Sequence, residues 1–241
     1  MNKRTYAYIA LVTVGGAWLL GSSLLSLMMR DDLGGSIVLW SVMALLTLAT
    51  GSLNVIIRPI RCRVAFSDVF MLLSLLICGI APATLIAALE GFAASSRERG
   101  QWPKRLFNTM GMAISIHCAA LLFVRIVPDG GIWGAGWRSA GGLVPAMILI
   151  GAVHYLVNAF LVSIAVALER GVSPVTVLGG SILWSGTEIL IGSLLATAVF
   201  ALARHAGFYV VGPALLIPFG LHYLYRFTID RLERARIPSR G

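Results

Sequence analysis

The hydrophobic pattern of this chain consists of long apolar runs separated by short polar loops. A helix needs about 20 apolar residues to cross a hydrocarbon layer about 30 Å thick. Six runs reach that length and predict transmembrane helices: Tyr6–Met28, Ile37–Ile57, Leu106–Val127, Leu143–Leu168, Val175–Leu202 and Gly207–Phe227. The first run is too long for the apolar core of a cleaved signal peptide, so we expect it to persist as a helix.

A seventh run, FSDVFMLLSLLICGIAPATLIAALEGF from Phe66 to Phe92, admits two interpretations. As one helix ending near Ala94 it would be about 43 Å long, because a helix rises about 1.5 Å per residue. Gly79 suits a helix C-terminus, and Pro82 disfavours helical geometry in the residue before it. The pattern therefore favours a hairpin of two short helices, 66–80 and 81–94, over a single kinked crossing.

The distribution of positive charge also favours the hairpin. Cytoplasmic loops of membrane proteins carry an excess of Lys and Arg. With a hairpin, 15 of the 19 basic residues lie on the side of the N-terminus, whereas a single crossing leaves 8 there and 11 opposite. We therefore predict that both termini are cytoplasmic. The sequence leaves open whether the short pair spans fully or re-enters from the cytoplasm.

The composition agrees with a protein that faces lipid. Hydrophobic residues make up 58% of the 241 positions and charged residues 12%, with a mean hydropathy of +0.88. A soluble domain is about 25% charged. The predicted fold is an all-α, polytopic transmembrane bundle of about eight helices, with one domain over 1–230 and a short basic cytoplasmic tail over 231–241. No stretch is large enough for a nucleic-acid-binding domain, so we assign the basic residues to loops and lipid headgroups.

Four polar side chains within the apolar runs are candidate ligand-binding residues. His154 and Asn158 are four positions apart and share a helix face, Glu188 lies in the next run, and His117 lies in an earlier one. Ionisable groups at membrane depth are costly and often functional. The alternative is an interhelical hydrogen-bond network, in which each bond contributes about 0.6 kcal/mol.

Other polar and small residues suggest structural roles. We assign caps or hinges to Asp68, Gly79, Pro82 and Asn108, with Asp68 accepting backbone N–H groups at a helix start. Glu90 lies within reach of Arg97, which predicts an ion pair. Small residues four apart, Ala17 with Gly21 and Gly192 with Ala196, predict close helix–helix contact within the chain or between copies of it.

No motif indicates catalysis or metal binding. The chain lacks H-E-x-x-H, a Walker A loop and G-x-S-x-G. Its three cysteines, Cys62, Cys78 and Cys118, form no C-x-x-C pair. We therefore expect no enzyme activity, no cofactor and no metal.

From about Arg58 to Arg231 the chain resembles the multi-helix membrane sensor module of bacterial cyclic-di-GMP signalling proteins of the HD-GYP and GGDEF type. The resemblance rests on the Phe66–Phe92 run, on KRLFNTM at 104–110 and on HYLVNAFLVSIAVALERGVSP at 154–174. It implies a bacterial inner-membrane, multi-pass sensor that signals along a cytoplasmic helix. After Phe227 only TIDRLERARIPSRG follows, without a GGDEF or HD-GYP motif, so we expect signalling through a separate cytoplasmic partner.

A looser similarity connects Asp68–Ala94 with the substrate-binding membrane component of energy-coupling-factor transporters. It implies a small-solute-binding or transporter subunit that works with an ATPase in trans. The predicted partners are thus the lipid bilayer and either a signalling protein or a transporter ATPase. A homo-oligomer is left open.

Overall fold

The computed structural model describes residues 2–29, 33–51, 54–57, 62–97, 101–126 and 140–207, with residues 209, 220, 223, 224 and 227. Within these ranges only the backbone is described at 33–36, 54–57, 62–65, 140–142 and 180–189. The elements are α1 (Lys3–Met28), α2 (Leu33–Thr50), β1 (Asn54–Ile57), β2 (Cys62–Ala65), α3 (Phe66–Cys78), α4 (Ile80–Arg97), α5 (Trp102–Ile126), α6 (Ala140–Arg170) and α7 (Pro174–Ala206).

The chain reverses direction between α3 and α4. Gly79 separates the two helices with a φ of 89°, a conformation that costs glycine little. Its N–H donates to the Leu75 carbonyl and its own carbonyl accepts from Ala83, so it ends one helix and begins the next. Ser67 and Glu90, about equally far from Gly79 along the chain, interact with each other. Such a contact requires a hairpin, because a continuous helix would hold the two residues about 34 Å apart.

The seven described helices share one end of the bundle, which we call the proximal end: α1, α3, α5 and α7 begin there, and α2, α4 and α6 end there. Asn2, just before α1, donates from its side chain to the Leu168 carbonyl near the end of α6. Gly51, just after α2, lies against Glu90 and Arg97 of α4. This arrangement is the one that the hairpin interpretation predicts.

The core surrounds α3, which α2, α4 and α7 cover. Phe70, Met71, Leu73 and Leu76 of α3 are fully buried. Helix α1, by contrast, turns large apolar side chains such as Leu11 and Trp18 outward. An outer apolar face is stable in lipid but would be unfavourable in water.

Among the described residues, three helices are long and apolar enough to cross a membrane: Lys3–Met28, Trp102–Ile126 and Leu143–Arg170. The shorter apolar helices are Ile37–Thr50, Phe66–Cys78 and Leu190–Ala206. The helical class is therefore confirmed, and so is the division of the Phe66–Phe92 run into two helices.

One predicted helix is wrong in its second part. The run Ile37–Ile57 was expected to be helical throughout, but α2 ends at Thr50 and residues 54–57 form β1. The β-branched sequence Val55-Ile56-Ile57 favours a strand. It pairs antiparallel with β2, with Val55 opposite Val64. Of the predicted helix Gly207–Phe227, the structure describes only residues 207, 209, 220, 223, 224 and 227. The predicted tail 231–241 lies outside the described residues.

Two glycines at close helix–helix contacts, Gly16 and Gly91, are not among the small residues that the four-residue spacing predicted. A Cβ added at Gly16 of α1 would lie 2.4 Å from Met110 Cβ of α5, and one added at Gly91 of α4 would lie 2.7 Å from the Asn108 carbonyl. A Cβ added at Gly21 would meet no atom of another helix within 4 Å in the described structure. A Cβ added at Gly192 would lie 3.8 Å from Asp68 Cβ of α3, and Ala196 is fully buried, so the second predicted small pair does face a neighbouring helix.

Candidate functional site

A cavity of about 300 Å³ lies at the proximal end between α1, α5 and α6. Pockets that bind small molecules begin at about this volume and are mostly apolar with a few polar groups. The lining has that character. It consists of Thr5, Ile9, Gln101, Lys104, Phe107, Asn108, Val162, Ala165, Val166 and Glu169.

The start of α1 is fixed against the end of α6 beside this cavity. The Asn2 side chain accepts from the Thr5 N–H at 2.8 Å as an N-cap and donates to the Leu168 carbonyl at 2.6 Å. The Asn2 N–H donates to a Glu169 carboxylate oxygen at 3.3 Å. Deeper in the bundle, the Tyr8 hydroxyl donates to the Leu161 carbonyl at 3.1 Å. These bonds place the first turns of α1 over the cavity.

Two predicted ligand-binding residues lie on the seam between α5 and α6, directly inward of the cavity. Asn158 Oδ1 lies 3.8 Å from the position that a Cβ would take at Gly111. One turn earlier in α6, the buried imidazole of His154 hydrogen bonds with the backbone of Ser115. Its Nδ1 has no hydrogen-bond partner among the described residues. An unpaired buried polar atom is rare in native proteins and calls for an explanation.

His117 faces a different helix. Its Nδ1 lies 3.1 Å from the Thr84 hydroxyl of α4, and that hydroxyl donates its single proton to the Ile80 carbonyl at 2.8 Å. His117 is about 200° around α5 from Ser115, because each residue turns a helix by about 100°. The structure thus brings His154 and Asn158 to one seam and separates His117 from them.

Glu188 belongs to α7, one turn before Gly192, but its side chain lies outside the described residues. Its predicted place in the ligand site stays a prediction. In the described part of the chain, no three His, Cys, Asp or Glu side chains come together as metal ligands would.

The predicted ion pair between Glu90 and Arg97 is present. Arg97 donates to Glu90 Oε1 at 2.8 Å, and the Glu90 side chain is only 7% exposed. The second carboxylate oxygen has no hydrogen-bond partner among the described residues. A Cβ at Gly51 would lie 2.4 Å and 2.6 Å from the two carboxylate oxygens, so the pair packs directly on the backbone at the end of α2.

The residues assigned to caps and hinges have different outcomes. Gly79 is the reversal point, Pro82 lies in the first turn of α4 where its missing N–H removes no helical bond, and Asp68 lies in the first turn of α3. Asn108 lies inside the unbroken helix α5 and lines the cavity, so it neither caps nor bends that helix.

Sequence reasoning missed Thr5, Lys104 and Glu169 as lining residues. Charged and polar residues near helix ends are ordinary in a membrane protein, so their types and positions carry no signal of a cavity. A scan of protein-family models and searches of curated proteins and of solved structures found no match to this chain.

Proposed function

We propose that this protein is a non-enzymatic sensor module of a bacterial inner membrane, which signals through a separate cytoplasmic partner. In this proposal the chain crosses the membrane several times and the proximal end faces the cytoplasm. The positive-inside distribution of Lys and Arg supports that orientation.

The observation that carries the proposal is the cavity at the proximal end. It is formed by helix ends that are far apart in sequence, with Thr5 on α1, Lys104 on α5 and Glu169 on α6. A molecule that binds there stabilises one arrangement of these helix ends relative to the others. A ligand can shift an equilibrium only by its difference in affinity for the two states, and a cavity between separate helices provides such a difference.

The experiment is a comparison of proteins that co-purify in mild detergent with the full chain and with a chain lacking residues 231–240. We expect a cytoplasmic partner that binds the full chain and is lost on deletion. A tail in which every Arg is replaced by Lys is the matched control, because it keeps the charge. Equal capture by the full and deleted chains would contradict signalling through this tail.

A solute-binding transporter subunit is the second candidate function, favoured by His154 and Asn158 on one seam with an unpaired imidazole nitrogen. It differs in its partner. If the co-purifying protein is an ATP-hydrolysing subunit that binds independently of the basic tail, the transporter function replaces the sensor function.

A further inference from the structure

We propose that the cavity between α1, α5 and α6 binds a small amphiphilic anion: a single apolar chain of about eight carbons with a negatively charged head group such as a carboxylate. This assignment rests on the proposed function only in treating the ligand as the stimulus. The binding site itself follows from the size, walls and charges of the cavity.

The size and walls select a short apolar chain. A volume of about 300 Å³ is about ten times the share of one water molecule in the liquid, and so accommodates about ten non-hydrogen atoms. Ile9, Phe107, Val162, Ala165 and Val166 supply apolar walls from all three helices. Burying one methylene group there contributes about 0.8 kcal/mol.

The charges select an anionic head group. The charged lining residues are Lys104 and Glu169. The Glu169 carboxylate already accepts from the Asn2 N–H at the start of α1, where a helix dipole favours negative charge. Lys104 carries three donors on one ammonium group, so it can bind a ligand acceptor besides the interactions it already has. The side-chain amides of Gln101 and Asn108 supply further uncharged donors in the lining.

The experiment uses the full chain in lipid discs and octanoate, which has ten non-hydrogen atoms. An octanoate carrying a photoreactive diazirine is cross-linked, and the labelled peptides are mapped by mass spectrometry. We expect saturable labelling within residues 5–9, 101–108 and 162–169. Unlabelled octanoate should compete at least tenfold better than octanol or octylammonium, because charge-assisted hydrogen bonds are about twice as strong as neutral ones. Acetate, which has no tail, should not compete.

Two variants test the site, each with a matched control. Lys104→Gln should weaken octanoate competition about tenfold and remove the preference for octanoate over octanol. Its control, Lys3→Gln, makes the same charge change outside the lining and should have no effect. Ala165→Phe fills the cavity and should abolish labelling of these segments. Ala10→Phe adds the same ring to an exposed position of α1 and should leave labelling unchanged.

Labelling that is not saturable, that maps elsewhere, or that octanol competes equally well would overturn the proposal. Failure here and failure of the sensor function are distinguishable. Saturable octanoate labelling without a tail-dependent partner keeps the site and removes the sensor. A tail-dependent partner without octanoate labelling keeps the sensor and removes this ligand.

Discussion

Gly16→Ala should separate α1 from α5 and destabilise the protein. The added Cβ would lie 2.4 Å from Met110 Cβ, 2.8 Å from Met110 Cα and 3.0 Å from the Met110 carbonyl oxygen, whereas ordinary contact begins at 3.4 Å. Because the obstructing atoms include backbone, no change of side-chain rotamer relieves the overlap. The helices must move apart by about 1 Å at this point, and overpacking of this kind costs about 1–3 kcal/mol.

In a chain of this length, that cost corresponds to a fall of about 2–12 °C in the midpoint of thermal unfolding. The measurement is intrinsic tryptophan fluorescence of the purified protein during heating in one detergent. Gly21→Ala is the control, because it makes the same change on the same helix where no atom lies within 4 Å. The reasoning is refuted if Gly16→Ala unfolds at the wild-type temperature, or if Gly21→Ala falls as far.

Three further substitutions test other contacts by the same thermal measurement. Asn2→Ala should cost about 1–2 kcal/mol through loss of the N-cap of α1, and Asn2→Asp, which keeps the cap acceptor but loses the donor to the Leu168 carbonyl, should also destabilise the protein; an Asn2→Ala variant that unfolds at the wild-type temperature would contradict the cap. Arg97→Gln should cost about 3 kcal/mol because Glu90 stays buried without its partner. The double variant Glu90→Gln/Arg97→Gln should cost less than the sum of the two single changes, and additive costs would disprove the coupling. Gly79→Ala should cost about 1–2 kcal/mol because its φ is 89°, and a neutral effect would contradict the reversal geometry.

The helical hairpin could be predicted because local chemistry and long-range charge agree. Gly79 and Pro82 indicate a break, and the distribution of Lys and Arg on either side indicates a reversal. The β-hairpin could not be predicted in the same way. Residues 54–57 follow α2 closely in a stretch that is long and apolar enough to span as one helix, and the pairing with 62–65 that accompanies their strand conformation is not visible in the local pattern.

The candidate site was only partly predictable because spacing along one helix does not show which neighbour a face meets. The four-residue spacing correctly placed His154 and Asn158 on one face. It carried no information on the rotation of α5, which turns His117 toward Thr84 of α4 instead. The cavity depends on Asn2 meeting Leu168, and no local pattern reports a contact over such a separation.

The central claim is that the starts of α1 and α5 and the end of α6 share one compartment, the cytoplasm. The most direct measurement replaces the three native cysteines with Ser and introduces single cysteines by Lys3→Cys, Lys104→Cys and Glu169→Cys. A membrane-impermeant thiol reagent is then applied to intact spheroplasts and to inverted vesicles. We predict that all three sites react only in inverted vesicles. Reaction of Lys104→Cys in spheroplasts while Lys3→Cys stays protected would contradict the hairpin, the shared proximal end and the cavity together.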